Sequence, residues 1–152
     1  MEDPEVQLVY IALPHSHHYA YAKMSLEAGK HVLCEKAFAV NAEQARVLCA
    51  LAWKKNLLIT EAIWTRYMPS RKMIDDVIAS GAIGEINSLT CNLGYPLEDV
   101  RRIWDVNLAG SALLDVGVYT INFARMVFGR EMTDVIASAA FEKAWTGLTA
   151  SP

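Results

Sequence analysis

Three apolar segments rich in β-forming residues constrain the fold of this chain most, because of how they are spaced. They begin at positions 6, 31 and 57 and read VQLVYIAL, HVLCE and LLITEA. Nearly continuous apolar strands of this kind are typical of a parallel sheet that is covered on both faces. The spacing predicts an α/β fold made of βαβ units with right-handed crossovers, as in a doubly wound parallel sheet.

The two intervals between these segments carry helix signals. Ser16 is a candidate N-cap for a helix that ends at Gly29, since glycine is a common C-terminal stop. Asn41 followed by Gln44 resembles a capping box, and apolar residues then recur at helical spacing. The predicted order up to Ala62 is therefore strand, helix, strand, helix, strand.

Beyond Trp64 the pattern of apolar residues changes. Pro69 is the predicted start of a helix whose apolar residues share one face. The segment Glu85–Tyr95 alternates as a half-exposed strand does, Leu113–Phe128 has the composition of a largely buried helix, and Asp134–Trp145 suggests a further strand. We therefore predict that a second module of mixed α and β structure follows the parallel sheet.

Length and composition limit the size and the partners of the protein. The 152 residues are 53% hydrophobic, which suits one complete domain or pieces of two. The net charge of -3, with both signs interspersed, argues against nucleic acid or a membrane surface as the partner. The apolar runs fall short of the roughly 20 residues that span a bilayer. A small neutral or polar ligand fits these properties better.

Polar and aromatic residues follow each predicted strand. In an open α/β sheet the carboxyl ends of the strands meet at one edge, and ligands bind there. The residues at this edge are Pro14 and His15 after the first strand, Glu35 and Lys36 after the second, and Glu61, Trp64, Thr65 and Arg66 after the third. Their convergence indicates a site that includes Lys36, although a strand without a site also ends in polar residues.

Several stretches occur in the order that one protein family has. YIALPHSHHYAYAKMSLEAGKHVLCEKAFAVNAEQA resembles the fourth and fifth strands of the nucleotide-binding domain in the Gfo/Idh/MocA family of NAD(P)-dependent oxidoreductases. EAIWTRYMPS and GSALLDVGVYTINFARMVFG extend the similarity, most closely to the branch with dimeric dihydrodiol dehydrogenase and NADP-linked xylose dehydrogenase. The resemblance implies the C-terminal half of a Rossmann domain over residues 1–62 and the start of an α+β substrate and dimerisation domain over residues 63–152.

The resemblance also implies roles for individual residues. Lys36 lies at the family's Glu-Lys-Pro motif and would contact the nicotinamide ribose and the substrate hydroxyl. Asp115, Gly117 and Tyr119 match the Asp-x-Gly-x-His/Tyr pattern, so Tyr119 would transfer the proton with Asp115 beside it. The implied cofactor-binding residues are Leu13, Pro14, His15, Glu35, Lys36, Trp64 and Arg66. The cofactor would be NADP or NAD, and the substrate a sugar or a cyclic diol.

The residue types agree with the oxidation of an alcohol. Removing a hydride from a carbinol carbon also requires loss of the hydroxyl proton, so the site needs a base that works near neutral pH. An isolated tyrosine ionises only near pH 10, but a neighbouring lysine cation favours its phenolate form. We therefore expect Lys36 to lie beside Tyr119 and to bias it toward the phenolate.

The chain departs from the family pattern in three places. Ala37 stands where the family has proline, which removes a fixed φ next to Lys36. The glycine run before the Asp motif reads Gly110-Ser111-Ala112, which narrows the predicted substrate entrance. No Gly-x-Gly-x-x-Gly occurs in the 152 residues. We therefore expect an internal fragment without the phosphate-binding loop and without much of the second domain.

Other interpretations of the same residues stay open. The alternative to an enzyme is a truncated, catalytically silent module that is retained for self-association, and a homo-oligomer is expected in either case. Tyr119 is by default a core aromatic residue whose hydroxyl finds a backbone partner. Trp64 could be an anchor between the modules, and Arg66 could pair with a carboxylate such as Glu61.

The histidine cluster and the cysteines suggest no metal. His15, His17 and His18 have no cysteine or carboxylate at ligand spacing, so we predict His15 near the cofactor and the other two on a helix surface. The three cysteines are widely spaced, which indicates neither a disulfide framework nor a zinc site. Cys34 is expected to be a small buried residue, and a reducing cytoplasm is the expected compartment.

Overall fold

A computed structural model gives the fold of the chain and describes residues 2–97, 99–129, 133–140 and 149–150. A three-stranded parallel sheet lies at its centre, with strands β1 (Leu8–Ile11), β2 (His31–Glu35) and β3 (Ile59–Ala62) in the order β1-β2-β3. The register pairs Leu8 with His31 and Val32 with Ile59. This arrangement confirms the predicted α/β fold with parallel strands and brings the carboxyl ends of all three strands to one edge.

Two helices cover one face of this sheet. Helix α1 (His15–Glu27) joins β1 to β2, helix α2 (Ala42–Lys55) joins β2 to β3, and the two helices contact each other. The buried core between helices and sheet consists of Ile11, Ala22, Leu26, Val32, Cys34, Leu48 and Ala52. Burial raises the pKa of the Cys34 thiol to about 12, so this residue is a packed apolar side chain, as predicted.

One predicted helix cap is confirmed and the other is wrong. The Asn41 side chain accepts a hydrogen bond of 2.9 Å from the Gln44 backbone N–H, which caps α2. Ser16 does not cap α1, because the helix already begins at His15 and the Pro14 carbonyl accepts from the backbone N–H of His17. The Ser16 hydroxyl bonds instead to the imidazole of His17.

After β3 the chain forms short helical elements. They are a 3-10 turn (Trp64–Tyr67), α3 (Pro69–Ala79), α4 (Arg101–Trp104), a second 3-10 turn (Val106–Leu108), a π-helical turn (Leu113–Gly117) and α5 (Val118–Phe128). Two short antiparallel strands follow, β4 (Ala139–Ala140) and β5 (Thr149–Ala150). Pro69 opens α3 at its first turn, as predicted.

The strands predicted for this second region are largely wrong. Residues 85–95 form no strand, because a strand needs a hydrogen-bonded neighbour and none of the described residues pairs with this segment. Residues 134–138 are also irregular, and 141–145 lie outside the described residues. The helix predicted over Leu113–Phe128 is confirmed, but most of its side chains are half-buried rather than buried.

The division of the chain at residues 62 and 63 stays a prediction. It places the parallel sheet with α1 and α2 in one part, and α3 to α5 in the other. Within the described ranges, no helix is long and apolar enough to cross a membrane. Side chains from both parts nevertheless meet at the edge where β2 ends.

Candidate functional site

Lys36 follows β2 directly and forms an ion pair with Asp115 of the π-helical turn. Its Nζ lies 2.7 Å from the Asp115 backbone oxygen and 2.8 Å from Asp115 Oδ1. Only 15% of the Lys36 side chain and 7% of the Asp115 side chain are exposed. A shielded pair of this kind fixes the ammonium in one place, because a buried charge must keep its partner.

A second cation also binds the Asp115 carboxylate. Arg102 Nη1 lies 2.7 Å from Asp115 Oδ1, and half of the Arg102 side chain is exposed. Burial raises the pKa of the Asp115 carboxyl, but the hydrogen bonds from Lys36 and Arg102 outweigh it and bring the pKa below its usual range. Asp115 is therefore a carboxylate at neutral pH, and two cationic side chains bind this one carboxylate.

Tyr119 lies one helical turn after Asp115, on the other side of Lys36. The Lys36 ammonium sits over the face of the Tyr119 ring, 5.2 Å from its centroid. The phenolic oxygen accepts a hydrogen bond of 2.9 Å from Trp64 Nε1, and the two rings meet edge to face. Lys36 and Tyr119 are thus neighbours, as predicted, although the ammonium approaches the ring and the indole N–H approaches the hydroxyl.

Two cavities meet at Lys36. One, of about 330 Å³, is lined by Tyr10, Ala12, Leu13, Pro14, His15, Glu35, Lys36, Arg102 and Asp115. The other, of about 420 Å³, is lined by Lys36, Trp64, Thr65, Leu93, Tyr95, Leu97, Arg102, Asp115, Val116 and Tyr119. The trio of Lys36, Arg102 and Asp115 belongs to both cavities, so groups bound in each would reach the same ammonium.

The wall of the smaller cavity contains two further titratable residues with shifted pKa values. Burial lowers the pKa of His15, whose Nδ1 lies 3.4 Å from the Ala109 oxygen, so its imidazole is neutral at pH 7. The Tyr10 hydroxyl donates a hydrogen bond of 2.5 Å to Glu35 Oε1, and this bond raises the pKa of Tyr10. Glu35 Oε2 in turn accepts from the Lys36 backbone N–H at 3.2 Å.

Comparison with known proteins places this chain in a family. The family model described as "Oxidoreductase family, NAD-binding Rossmann fold" matches residues 1–62. The model described as "GFO/IDH/MocA C-terminal domain" matches residues 72–148, which is half of the chain. The chain belongs to the Gfo/Idh/MocA family. The resemblance found from the sequence motifs is therefore confirmed, together with the Rossmann fold of the first region.

Relatives in the Gfo/Idh/MocA family are longer than this chain. Trans-1,2-dihydrobenzene-1,2-diol dehydrogenase of Homo sapiens is 40% identical over 90% of this chain and 41% of its own length. D-xylose 1-dehydrogenase (NADP(+)) of Hypocrea jecorina is 45% identical over 80% of this chain and 34% of its own length. The chain thus spans about four-tenths of the curated relatives it matches.

Solved structures of two oxidoreductases are similar to this chain in fold. Aldose-aldose oxidoreductase from Caulobacter crescentus, complexed with glycerol, is 26% identical with a TM-score of 0.77, over 93% of this chain and 43% of that chain. A 3-ketoreductase from Actinomadura kijaniata, in complex with NADP and TDP-benzene, is 35% identical with a TM-score of 0.70, over 83% of this chain and 39% of that chain.

Not every site residue predicted from the family resemblance lies at these two cavities. Arg66 lines a third cavity with Glu61 and Arg125, and its Nε donates a hydrogen bond of 2.6 Å to Asn122 Oδ1. Trp64, on the same 3-10 turn, does reach the larger cavity, where it contacts Tyr119. The Trp64–Tyr67 turn therefore places Trp64 in the larger cavity and Arg66 in the third cavity.

The structure also corrects the predicted position of His18. His18 is fully buried rather than on a helix surface, because both its ring nitrogens lie 2.7 Å from backbone oxygens, those of Ala37 and Leu13. His15 and His18 meet edge to face. Among the described residues, no group of three or more His, Cys, Asp or Glu side chains is placed to hold a metal ion.

Sequence reasoning missed Tyr10 and Arg102 as members of the site. Tyr10 lies within an apolar strand, and a tyrosine there is typical of ordinary sheet packing. Arg102 lies in a four-residue helix, 13 positions before the carboxylate it binds. A signal was available only for Arg102, since Arg101 and Arg102 are two adjacent cations shortly before the Asp115 motif.

Proposed function

We propose that the protein containing this chain is an NAD(P)-dependent oxidoreductase, which transfers a hydride between NADP or NAD and a hydroxyl-bearing carbon of a sugar or cyclic diol. One observation carries this proposal: Lys36 is held by Asp115 at the junction of two cavities, with Tyr119 in the wall of the larger one. This arrangement suits a reaction between two bound molecules that meet at one ammonium group.

The smaller cavity fits the nicotinamide end of the cofactor. Ala12, Leu13 and Pro14 provide an apolar wall that suits a flat ring, and Glu35 and Lys36 supply polar groups in the same cavity that would bind ribose hydroxyls. When bound, the cofactor supplies the hydride chemistry that no amino-acid side chain provides. Because the pKa of His15 is lowered, its imidazole is neutral and adds no positive charge to this cavity.

The larger cavity fits a small ring compound with hydroxyl groups. Trp64, Tyr95 and Leu97 give it apolar surface, while Lys36 and Tyr119 supply polar groups at one end. The names of the relatives, a dihydrodiol dehydrogenase and a xylose dehydrogenase, support a cyclic diol or an aldose as the substrate class. Arg102, which also lines this cavity, keeps its end positively charged.

Proton transfer is assigned to Tyr119. Lys36 has three N–H donors, of which two lie against Asp115, and the third can be directed to a substrate hydroxyl. The Trp64 N–H donates to the Tyr119 oxygen, and this contact orients the phenol within the wall of the larger cavity. Tyr119 would accept the hydroxyl proton, while Lys36 orients the hydroxyl and Asp115 holds the Lys36 side chain in place.

The remaining parts of the proposal concern the whole protein. A homo-oligomer and a reducing cytoplasmic setting are proposed from the family resemblance and from the spacing of the cysteines. Arg66 is retained as a proposed ligand contact only for a molecule that also reaches the third cavity, where it lies with Asn122. The apolar residues that the described second region leaves exposed agree with further packing partners.

The test uses the complete gene product that contains this chain, with NAD and NADP and a panel of aldoses and cyclic diols. We expect turnover of at least one substrate, and we expect Lys36→Met to lower kcat/KM by about 10²- to 10⁴-fold, the usual range for the loss of an acid–base group. Lys54→Met, on the exposed face of α2, is the control and should leave kcat/KM unchanged.

The alternative of a silent module predicts a different result. No oxidation of any panel member with either cofactor, together with self-association in light scattering, would favour it. Equal kinetics of Lys36→Met and the Lys54→Met control, in an active enzyme, would remove Lys36 from the proposed chemistry.

A further inference from the structure

His18 connects the two backbone segments that border Lys36. Its ring is fully buried, with Nδ1 2.7 Å from the Ala37 oxygen and Nε2 2.7 Å from the Leu13 oxygen. Leu13 belongs to the wall of the smaller cavity, and Ala37 directly follows Lys36. Because a carbonyl oxygen only accepts hydrogen bonds, each of these contacts forms when the ring nitrogen carries its hydrogen.

The turn around Lys36 is held by side chains from three different elements. His18 of α1 binds the Ala37 oxygen, Glu61 of β3 accepts a 2.9 Å hydrogen bond from the Phe38 N–H, and Glu35 of β2 accepts from the Lys36 N–H. The bond from His18 is the shortest of the three. It comes from a fully buried side chain, where a hydrogen bond is least exposed to competition from water.

These hydrogen bonds fix the backbone around Lys36 in this sequence, which has alanine at position 37. Ala37 leaves φ free at a position where a proline ring would fix it, so the backbone after Lys36 depends on its hydrogen bonds for a single conformation. The Lys36 ammonium must reach Asp115 in a part of the chain 79 positions away. A displacement of about 1 Å at such a group is enough to lower a rate about 100-fold.

We propose that His18 is a positioning residue for Lys36: its Nδ1–H donates to the Ala37 carbonyl and fixes the turn that delivers the Lys36 ammonium to Asp115. The kinetic consequence of this proposal rests on the function proposed above, whereas its structural part does not. His18 contacts neither cavity directly, and it acts through the backbone on each side of it.

Two amide substitutions separate the two contacts of the His18 ring, those with Ala37 and with Leu13. The side-chain nitrogen of asparagine is attached at the same distance from the backbone as Nδ1, so His18→Asn retains a donor toward Ala37 and removes the one toward Leu13. The nitrogen of glutamine extends one atom further, as Nε2 does, so His18→Gln retains the donor toward Leu13. Both variants replace the ring by a primary amide, which matches them in polarity, and glutamine is one methylene longer than asparagine.

The readout is the accessibility of Lys36 in the complete gene product that contains this chain. An amine-reactive acetylating reagent is applied briefly, and peptide mass spectrometry compares acetylation of Lys36 with that of exposed Lys54 in the same molecule. We expect His18→Asn to keep the ratio of the unmodified chain. We expect His18→Gln to raise it about fivefold or more, since losing one hydrogen bond shifts a local equilibrium by about that factor. Thermal melts of both variants report global stability.

Other patterns of acetylation overturn the proposal. An unchanged ratio in both variants, or a rise in His18→Asn alone, shows that the contact with Ala37 does not position Lys36. An equal rise in both, accompanied by equal losses in melting temperature, reduces His18 to a packing residue.

A measurement on the unmodified chain keeps the proposal testable if a variant fails to fold. The ¹⁵N chemical shifts of the His18 ring show which nitrogen carries hydrogen, and a hydrogen on Nδ1 is expected. A bare Nδ1 overturns the proposal. If the acetylation pattern holds while the complete gene product shows no dehydrogenase activity, the proposed function fails and the positioning role of His18 stands.

In the active enzyme the two variants also separate kinetically. His18→Gln should lower kcat more than it raises KM, because a displaced Lys36 affects the reacting hydroxyl rather than the whole binding surface. His18→Asn should restore most of kcat. Equal kcat values for the two variants, both well below that of the unmodified enzyme, would contradict the proposed route through Ala37.

Discussion

The parallel-sheet region, residues 8–62, and the helical region, residues 63–129, differ in how their apolar residues are used. In the first, two helices pack on the sheet and bury a continuous core. In the second, α3 places Met73 with 68% of its surface exposed, and its apolar face borders a groove rather than a packed neighbour. The first region thus buries a core on one face of its sheet, whereas the described part of the second region leaves apolar residues of α3 exposed.

The same contrast explains how the site is built. The parallel-sheet region contributes a backbone turn held by several hydrogen bonds, from which Lys36 extends. The helical region contributes Asp115 and Tyr119 from adjacent turns of one helical segment. A rigid sheet edge therefore positions the cation, and a helix positions its partners, so the ion pair between Lys36 and Asp115 joins the two regions.

The largest effect is expected from the proton-transferring group of the helical region. Tyr119→Phe keeps the ring under the Lys36 ammonium but removes the hydroxyl that accepts from Trp64. We expect kcat/KM of the complete gene product to fall about 10²- to 10⁴-fold with little change in melting temperature. Tyr67→Phe, on an exposed side chain of the neighbouring turn, is the control. A large drop in melting temperature with normal kinetics would make Tyr119 a structural residue.

Breaking the link between the regions should be the next largest effect. Asp115→Asn removes the charge from a buried pair, a change that typically costs about 3–5 kcal/mol of unfolding free energy. Asp76→Asn is the matched control, because its pair with Lys72 is exposed and worth at most about 0.5 kcal/mol. Denaturant unfolding of the unmodified chain, Asp115→Asn, Lys36→Met and the double variant would measure the coupling energy between Lys36 and Asp115. A coupling energy near zero would show that this ion pair does not join the two regions.

The pKa of Asp115 predicts how the stability difference between the unmodified chain and Asp115→Asn changes with pH. The pKa of Asp115 is lower in the folded chain than its ordinary value near 3.9, so its stabilising contribution is complete above that value and is lost as pH falls through the folded pKa. The stability difference between the unmodified chain and Asp115→Asn should therefore be constant from pH 7 to about 5 and shrink below about 4. If this stability difference instead grew on acidification, the charged form of Asp115 would not be the stabilising form.

A third comparison tests the packing contrast directly. Leu48→Ala in the core of the parallel-sheet region should lower the unfolding free energy by about 2–5 kcal/mol. Met73→Ala in the helical region should change it by less than about 0.5 kcal/mol when this chain is studied alone, because the side chain is mostly exposed. A large effect of Met73→Ala on the 152-residue chain would show that the groove beside α3 is already filled, for example by a second copy.

Local patterns in the sequence determined most of the parallel-sheet region. The three apolar segments form parallel strands in chain order, and Asn41 caps α2 by accepting a hydrogen bond from the Gln44 N–H, the pair indicated by the sequence. These features depend on neighbours within one helical turn or on burial of a whole strand, so residues close in sequence decide them. Ser16 was assigned wrongly because the helix begins at His15 and the Pro14 backbone oxygen accepts from the His17 N–H, a contact that side-chain preferences do not reveal.

Only the tertiary structure decided the partners of the site residues. The sequence identified Lys36, Asp115 and Tyr119, yet it could not give the second cation on Asp115, the indole on the Tyr119 hydroxyl or the buried position of His18. Each of these contacts joins separate elements, and Lys36 and Asp115 are 79 positions apart. Such pairs form because chain packing brings their elements together, and periodicity or propensity encodes nothing about which polar side chains then meet.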